Sequence, residues 1–515
     1  MQGLQSLAQI HGEKCWPLVV KRAPCEEACP LGTDVPSYVI AIARGKFKEA
    51  LEVIREVNPF PSVCGRVCTH PCEEACNRVL VDEPIAVSWL KRVVADRALA
   101  SGERPTPAPR TREEMVAIIG SGPAGLTAAY DLVKQGYAVT VYEALPVAGG
   151  MMAAGIPEYR LPRRVLNAEI DYIRALGVDI RTNTPIGKEL TLDDLFRKGY
   201  KAVFIAVGAH RSQMLGIPGE DAEGVVHGVD FLRALNLGRE VKVGERVGII
   251  GGGNVAMDAA RAAKRLGAKE VTILYRRSRD EMPASDEEVE AAQAEGIKVE
   301  YLVAPSEVLV SKGKVAGLKL MRMRLGAPDA SGRPQPIPIS GSEFEIKLDT
   351  VMPAIGQAAD LSFLGEGSSI SSTKENTLSV DEETLATSRP GVFAGGDAVT
   401  GPASVVKAIA AGHRAAESIA RYLQGHDLKE GRGAAAVEVF KIEERMVPHF
   451  LVRKERWEMP AIWPQDAVRT FCEVNLGYPE WEAVEEARRC LNCRMCGNCI
   501  FGRGQICLET GSRLL

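Results

Sequence analysis

Residues 115–125 read MVAIIGSGPAG and lead, after a helix-length gap, into AVTVYEA at 138–144. The apolar run Val116 to Ile119 has the composition of a buried strand and runs straight into Gly120, Gly122 and Gly125. The first two glycines let the backbone turn sharply and approach a pyrophosphate, while Gly125 lets the following helix lie close on the strand. That helix opens at Pro123 and Ala124, and its N-terminus offers partial positive charge to an anion. The second strand ends in Glu143, where an acid accepts hydrogen bonds from ribose hydroxyls. A G-x-G-x-x-G by itself is a weak signal. Strand, turn, helix, second strand and acid together make the dinucleotide fingerprint, and they predict an α/β fold of Rossmann type with a bound dinucleotide.

The same pattern recurs at 246–277, RVGIIGGGNVAMDAARAAKRLGAKEVTILYRR. Gly251, Gly253 and Ala256 take the three turn positions, and Asn254 and Val255 open the helix. The second strand here ends in Arg276 and Arg277 instead of an acid. Guanidinium groups at that place accommodate a 2′-phosphate, so the reading is NADP(H), with NAD(H) possible; a solvated basic turn is the alternative. Around these two units stand further glycines: Gly149 and Gly150 in VAGGMM, Gly356 in PAIGQ, and Gly396 with Asp397 in VFAGGDAV. Ser404 and Val405 open a long alanine-rich helix whose N-terminal amides, with Asp397, are expected to face the first dinucleotide. Its position after the second fingerprint implies nesting, with the second unit inserted into the first.

The chain has 515 residues, 46% hydrophobic and 25% charged, with a net charge of -4. Such a balance describes a globular chain of several domains without the strong basicity of a nucleic-acid binder. No apolar run is long enough to span a bilayer, and the N-terminus lacks the apolar core of a signal peptide. The expected location is cytoplasmic, with reduced thiols.

Thirteen cysteines lie only at the two ends. Cys15, Cys25, Cys29, Cys64, Cys68, Cys72 and Cys76 fall in the first part, and Cys472, Cys490, Cys493, Cys496, Cys499 and Cys507 in the last. Clustering at such short spacings, C-x3-C-P and then C-x3-C-x3-C-x3-C, points to metal and specifically to iron–sulfur ligation, with zinc as the competing reading. The segment 33–57 between them has helical apolar spacing, an N-cap at Asp34 and a break at Gly45. The proline-rich stretch 101–112 reads as a stiff linker. At the far end C-x2-C-x2-C-x2-C-x7-C offers five thiols, of which Cys493, Cys496, Cys499 and Cys507 are the expected cluster ligands and Cys490 the spare.

From about Cys25 to Leu423 the chain resembles the small subunit of glutamate synthase, the N-terminal part of dihydropyrimidine dehydrogenase and the NADPH-binding flavoprotein of the bifurcating transhydrogenase. The shared runs are CEEACP, NPFPSVCGRVCTHPCEEAC, GSGPAGL, GIPEYRLP, GGGNVAMD and AGGDAV. The resemblance implies an N-terminal helical domain with [4Fe-4S] clusters, a nested FAD domain and an NADPH domain. It assigns FAD to Gly120, Gly122, Gly125, Glu143, Gly150, Asp397 and the helix from Ser404, and NADPH to Gly253 to Ala256 with Arg276 and Arg277. Family members have a C-x2-C pair just before the cysteine matching Cys25, which this chain lacks. The family's glutamine or glutamate ligand falls at Lys91. Two N-terminal clusters need eight ligands, and seven cysteines cannot supply them without a ligand from elsewhere. Between one and three clusters are therefore expected.

The expected domains are 1–112 helical iron–sulfur, 113–244 and 351–425 FAD-binding, 245–350 NAD(P)H-binding, and 426–515 a cysteine-rich extension. Nicotinamide exchanges a hydride and clusters exchange single electrons, and flavin does both. The chain is thus read as an oxidoreductase subunit passing electrons between NAD(P)H and clusters, serving a partner subunit or ferredoxin, with no side-chain acid or base required. A glutamate synthase small subunit proper, a flavin disulfide reductase and a scaffold with structural clusters are the alternatives. The second of these needs a redox cysteine pair, and none lies between Cys76 and Cys472.

Overall fold

Helix α1 (Val35–Ala43) starts where Asp34 accepts a hydrogen bond from the Ser37 amide at 3.1 Å, and it stops at Gly45, whose φ of +73° favours glycine. It packs with α2 (Phe47–Arg55) and α4 (Val87–Ser101) around Tyr38, Ile42, Ile54 and Leu90, all buried, while α3 (Pro61–Val67) turns Val63 and Cys64 into the core of the first sheet. The computed structural model describes residues 22–493 except 103, 330–331, 366–367, 433–438 and 440–451. Among the described residues no helix is long and apolar enough to cross a membrane.

The first sheet is parallel. Strand β1 (Met115–Ile119) lies between β2 (Ala138–Tyr142) and β4 (Tyr200–Ile205), and β3 (Asp179–Arg181) extends it beyond β2. Both faces of such a sheet are covered, which is why β1 and β4 read as continuous apolar runs. Helix α5 (Pro123–Lys134) lies on one of them. After β4 the chain builds a second parallel sheet from β5 (Arg246–Ile250), β6 (Glu270–Tyr275), β7 (Lys298–Tyr301) and β8 (Thr350–Pro353), with α6 (Asn254–Arg265) between β5 and β6. An antiparallel sheet formed by 303–311, 314–328, 334–338 and 344–347 is inserted before β8. The chain then returns, and β9 (Val392–Ala394) pairs with β4 at the edge of the first sheet. Two Rossmann-like units are therefore nested. Because β8 pairs with β5, residues 350–353 lie with the second sheet, a few residues past the boundary read from the sequence.

Helix α7 (Val405–Leu423) crosses α5 at close range: a Cβ on Gly412 would stand 2.5 Å from the Ala124 carbonyl oxygen and 2.7 Å from Thr127. The helical domain is tied to this unit by Glu169, which accepts from the amides of Ser62 (2.6 Å) and Val63 (3.1 Å) at the start of α3.

The described part of the C-terminal extension packs on the rest of the chain. Residues 452–493 lie on the N-terminal helices, and Tyr478, Ala483 and Ala487 belong to the same apolar cluster as Val35, Tyr38 and Leu90. Helix α8 (Glu480–Ala487) places the fully buried Glu486 where it accepts from the Ala86 amide at 2.9 Å and pairs with Arg489 at 2.8 Å. Arg489 also pairs with Asp82, and Arg78 donates to the Arg489 carbonyl at 2.9 Å. Glu473 pairs with both Arg66 on α3 (2.6 Å) and Arg92 on α4 (2.9 Å). Losing one member of such a buried pair costs roughly 3–5 kcal/mol, so tail and helical domain fold as one unit.

Candidate functional site

The first cradle is made by backbone that tolerates no side chain. Gly120 has φ +105°, and a Cβ there would overlap the Ala206 carbonyl, while one on Gly125 would overlap the Gly120 carbonyl. A Cβ on Gly150 (φ +55°) would stand 2.7 Å from the Gly122 Cα. Glu143 is buried and accepts from the Ser121 hydroxyl (2.6 Å), the Ser121 amide (3.0 Å) and the Leu145 amide (2.8 Å). Gly149 sits behind the loop, donating to the Ser121 hydroxyl at 3.0 Å. Among the described residues the Asp397 carboxylate accepts from the Ala403 amide at 3.2 Å, and burial pushes its carboxyl up to about 6. A carboxylate so placed has lone pairs left for a polyol hydroxyl. Ser404 caps α7, accepting from the Lys407 amide.

The second cradle repeats the turn. Gly251 has φ +140° and faces the Ala354 carbonyl, a Cβ on Gly252 would stand 2.6 Å from the Tyr275 ring, and Gly253 precedes the helix start. Asn254 Oδ1 is buried with no hydrogen-bond partner, an acceptor left for a ligand. Ala256 packs behind the turn, fully buried. The two arginines separate. Arg277 is 3% exposed, donates to the Pro334 carbonyl at 2.8 Å and pairs with Asp329 at 2.8 Å, holding the inserted antiparallel sheet. Arg276 is exposed and makes no hydrogen bond or ion pair among the described residues.

One cavity of about 1190 Å³ joins both cradles. Pockets for single ligands are commonly about 300–1,000 Å³, so this one exceeds the usual range for one small molecule. Of the residues read from the sequence, Gly120, Gly122, Pro123, Ala124, Glu143, Gly150, Gly251, Gly253, Asn254, Val255, Arg276, Arg277, Gly356, Gly396, Asp397, Ser404 and Val405 line it. Gly125, Gly149 and Ala256 stand behind it as packing positions. Sequence reading missed Val67 and Thr69, from the segment that carries Cys64, Cys68 and Cys72, which also line the cavity. It missed as well Arg160, paired with Asp258 (2.8 Å) and Glu288 (2.9 Å), His210, which burial and then Arg233 keep neutral, and Arg333 from the inserted sheet. Only Arg160 had a signal, as part of GIPEYRLP. No cysteine lines the cavity among the described residues.

Eight of the nine described cysteines fall into two sets, and the ninth, Cys472, is exposed and belongs to neither. Cys29, Cys64, Cys68 and Cys72 surround Lys91, a buried ammonium that burial disfavours but whose charge the four sulfurs sustain, so its pKa is raised. A protonated amine has no lone pair, and Lys91 is a countercharge and not a ligand. Cys64 is pushed up to about 12 by burial, with Lys91 opposing. Cys68 accepts from the His70 amide at 3.4 Å. The second set, Cys25, Cys76, Cys490 and Cys493, lines a small cavity under α1 with Val35, Val39, Ile85 and Val87. Burial and then neighbouring thiols push Cys25 well up and Cys490 to about 12. Buried thiols of this kind ionise when a cationic core binds them. Among the described residues no three His, Cys, Asp or Glu side chains meet closely enough to share one ion. Ligands on one zinc converge to a point, whereas those of a cluster stand at the corners of an inorganic core. Cys15, Cys496, Cys499 and Cys507 lie outside the described residues.

Residues 114–412 match the family model for pyridine nucleotide-disulphide oxidoreductases, and residues 4–103 that for dihydropyrimidine dehydrogenase domain II, 4Fe-4S cluster. The chain is 46% identical to the beta subunit of the NADP+-dependent formate dehydrogenase of Moorella thermoacetica over 94% of this chain and 72% of that one. It is 35% identical to the glutamate synthase [NADPH] small chain of Escherichia coli over 81% of this chain and 92% of that one. The solved structure of Mycobacterium tuberculosis FprA in complex with NADPH shares the fold, with TM-score 0.52 and 22% identity over 63% of this chain and 87% of that one. The chain belongs to the pyridine nucleotide-disulphide oxidoreductase family, as an NAD(P)H-dependent FAD oxidoreductase joined to an N-terminal 4Fe-4S domain.

Proposed function

We propose that the chain is the NADP(H)-handling subunit of a larger oxidoreductase, exchanging electrons between NADP(H) and a partner subunit or ferredoxin. Bound FAD supplies the chemistry that joins the two kinds of transfer, hydride on one side and single electrons on the other. The protein's part is positioning. The Gly120, Gly122 and Gly150 backbone would take the FAD pyrophosphate, Glu143 its ribose and Asp397 its polyol chain. Gly251, Gly253 and Asn254 would take the nicotinamide nucleotide's pyrophosphate, and Arg276 its 2′-phosphate. Arg277 is removed from that role by its bonds to Asp329 and Pro334. A cytoplasmic site of action suits the many free thiols.

The observation that carries this reading is the pair Val67 and Thr69. They flank Cys68, so one member of the inner set, which also holds Cys29, Cys64 and Cys72, stands next in the chain to two residues lining the cavity that both cradles share. A cluster there would lie next to the flavin, which a scaffold role does not require. Anaerobic addition of NADPH should bleach the flavin absorption and bring up the EPR signal of a reduced 4Fe-4S cluster. Bleaching with no such signal at any NADPH excess would make the clusters structural.

A further inference from the structure

We propose that the chain's two ends jointly hold a second [4Fe-4S] cluster, with Cys25 and Cys76 from the N-terminal helices and Cys490 and Cys493 from the C-terminal tail as its four ligands. The assignment stands on cysteine geometry and not on the direction or partner of electron transfer. These are the four cysteines that line the cavity bounded by Val35, Val39, Ile85 and Val87. The remaining described cysteines of the helical domain, Cys29, Cys64, Cys68 and Cys72, already form the set around Lys91. Each end alone would leave two thiols in an apolar cavity with no partner.

The surroundings are those of a ligand site. Asn77 Nδ2 donates to Cys493 Sγ at 3.4 Å, so the N-terminal chain holds the tail cysteine directly. The Asn492 amide donates to Cys490 Sγ at 3.5 Å. Among the described residues Arg78 is the one cation lining the cavity; it is buried, and it donates to the Arg489 carbonyl at 2.9 Å just ahead of Cys490. N–H donors and a nearby cation favour thiolate sulfur and tune a cluster's potential. The tail is fixed in place by Glu486 and Arg489, so the two thiols arrive on a rigid element. Cys25 and Cys29 lie four residues apart in sequence, as do Cys72 and Cys76, and each pair gives one ligand to each set. The two sets thereby become neighbours. The arrangement also supplies the missing ligand pair: the tail's Cys490-x2-Cys493 takes the place of the absent C-x2-C ahead of Cys25.

Metal analysis of the full-length protein, purified anaerobically, tests this. The Cys490→Ser/Cys493→Ser variant should lose about four irons per chain, with its flavin content unchanged. Cys25→Ser/Cys76→Ser should lose the same number, and the variant carrying all four changes should lose no more than either pair. Full iron in the tail variant, or losses that sum in the fourfold variant, would overturn the shared site. One zinc lost in place of iron would overturn the cluster. If the tail variant fails to keep flavin, the single Cys25→Ala variant decides. Its loss of iron should open Cys490 and Cys493 to iodoacetamide, read by peptide mass spectrometry. Tail cysteines as protected as in the unaltered chain would sink the proposal. Either result leaves the NADPH-to-cluster EPR experiment to be judged separately, because the inner set is untouched.

Discussion

The two nucleotide cradles follow one plan of strand, glycine turn, helix and strand, yet they differ at three points. The third turn position is Gly125 in the first and Ala256 in the second, so α5 lies closer to its turn than α6 does. The second strand ends in a buried Glu143 in one and in Arg276 and Arg277 in the other. The helix of the first is held by Asp131 to His413, which also reaches the Val57 carbonyl, and the helix of the second by Asp258 to Arg160. The shared features are backbone features, and they suit what both ligands share, a pyrophosphate. The differences are side chains, and they distinguish one nucleotide from another and anchor each unit to its surroundings.

The strongest way to break the comparison is Gly125→Ala. The added methyl overlaps the Gly120 carbonyl, and overpacking of this kind costs about 1–3 kcal/mol or more. The variant should emerge without FAD while keeping its iron, as measured by flavin and iron content. Full flavin would mean that the first turn tolerates the looser geometry of the second.

A smaller effect separates the two arginines. Arg276→Ala should weaken NADPH by about 1.5–3 kcal/mol, roughly 10- to 150-fold, and leave NADH nearly unchanged. Arg277→Ala should weaken both nucleotides together, because it releases Asp329 and Pro334 of the inserted sheet. Titration of the flavin-loaded protein with each nucleotide reads both. Equal losses for Arg276→Ala would leave the 2′-phosphate without its recognition group.

The smallest effect concerns the anchors. Burial opposes a charge on His413, but Asp131 and the Val57 carbonyl outweigh it, so its folded pKa is raised above 6.5. The stabilisation is then fully present below pH 6.5 and lost as pH rises through the folded value. The pair is partly exposed, so it is worth under about 1 kcal/mol. Thermal unfolding of His413→Gln should trail the unaltered chain below pH 6.5 and converge with it at alkaline pH. A gap that does not change with pH would show that the histidine stays neutral.

Much of the site was legible because its parts are contiguous. Gly120 to Gly125 and Gly251 to Ala256 carry their own strand, turn and helix signals. Asp397 and Ser404 stand in one short run. Arg277 could not be told from Arg276 along the chain, because its partners, Asp329 and Pro334, lie far along it, and a basic residue at a strand end looks the same whether it faces a phosphate or holds a loop. Val67 and Thr69 gave no signal at all, since apolar and hydroxyl residues beside a cysteine have no nucleotide signature.

From local order alone the sequence determined two dinucleotide units, their nesting and the presence of metal-binding cysteines, because backbone turns and thiol spacings are short-range features. Only the tertiary structure decided how the cysteines divide. Cys490 looked spare, and the tail read as an extension whose place on the fold was open. Burial of Glu486 and Arg489 against Ala86 and Asp82 instead brings the tail cysteines to Cys25 and Cys76. Spacing along a chain records which thiols are near each other in sequence; which of them surround one cavity depends on the packing of residues hundreds of positions apart.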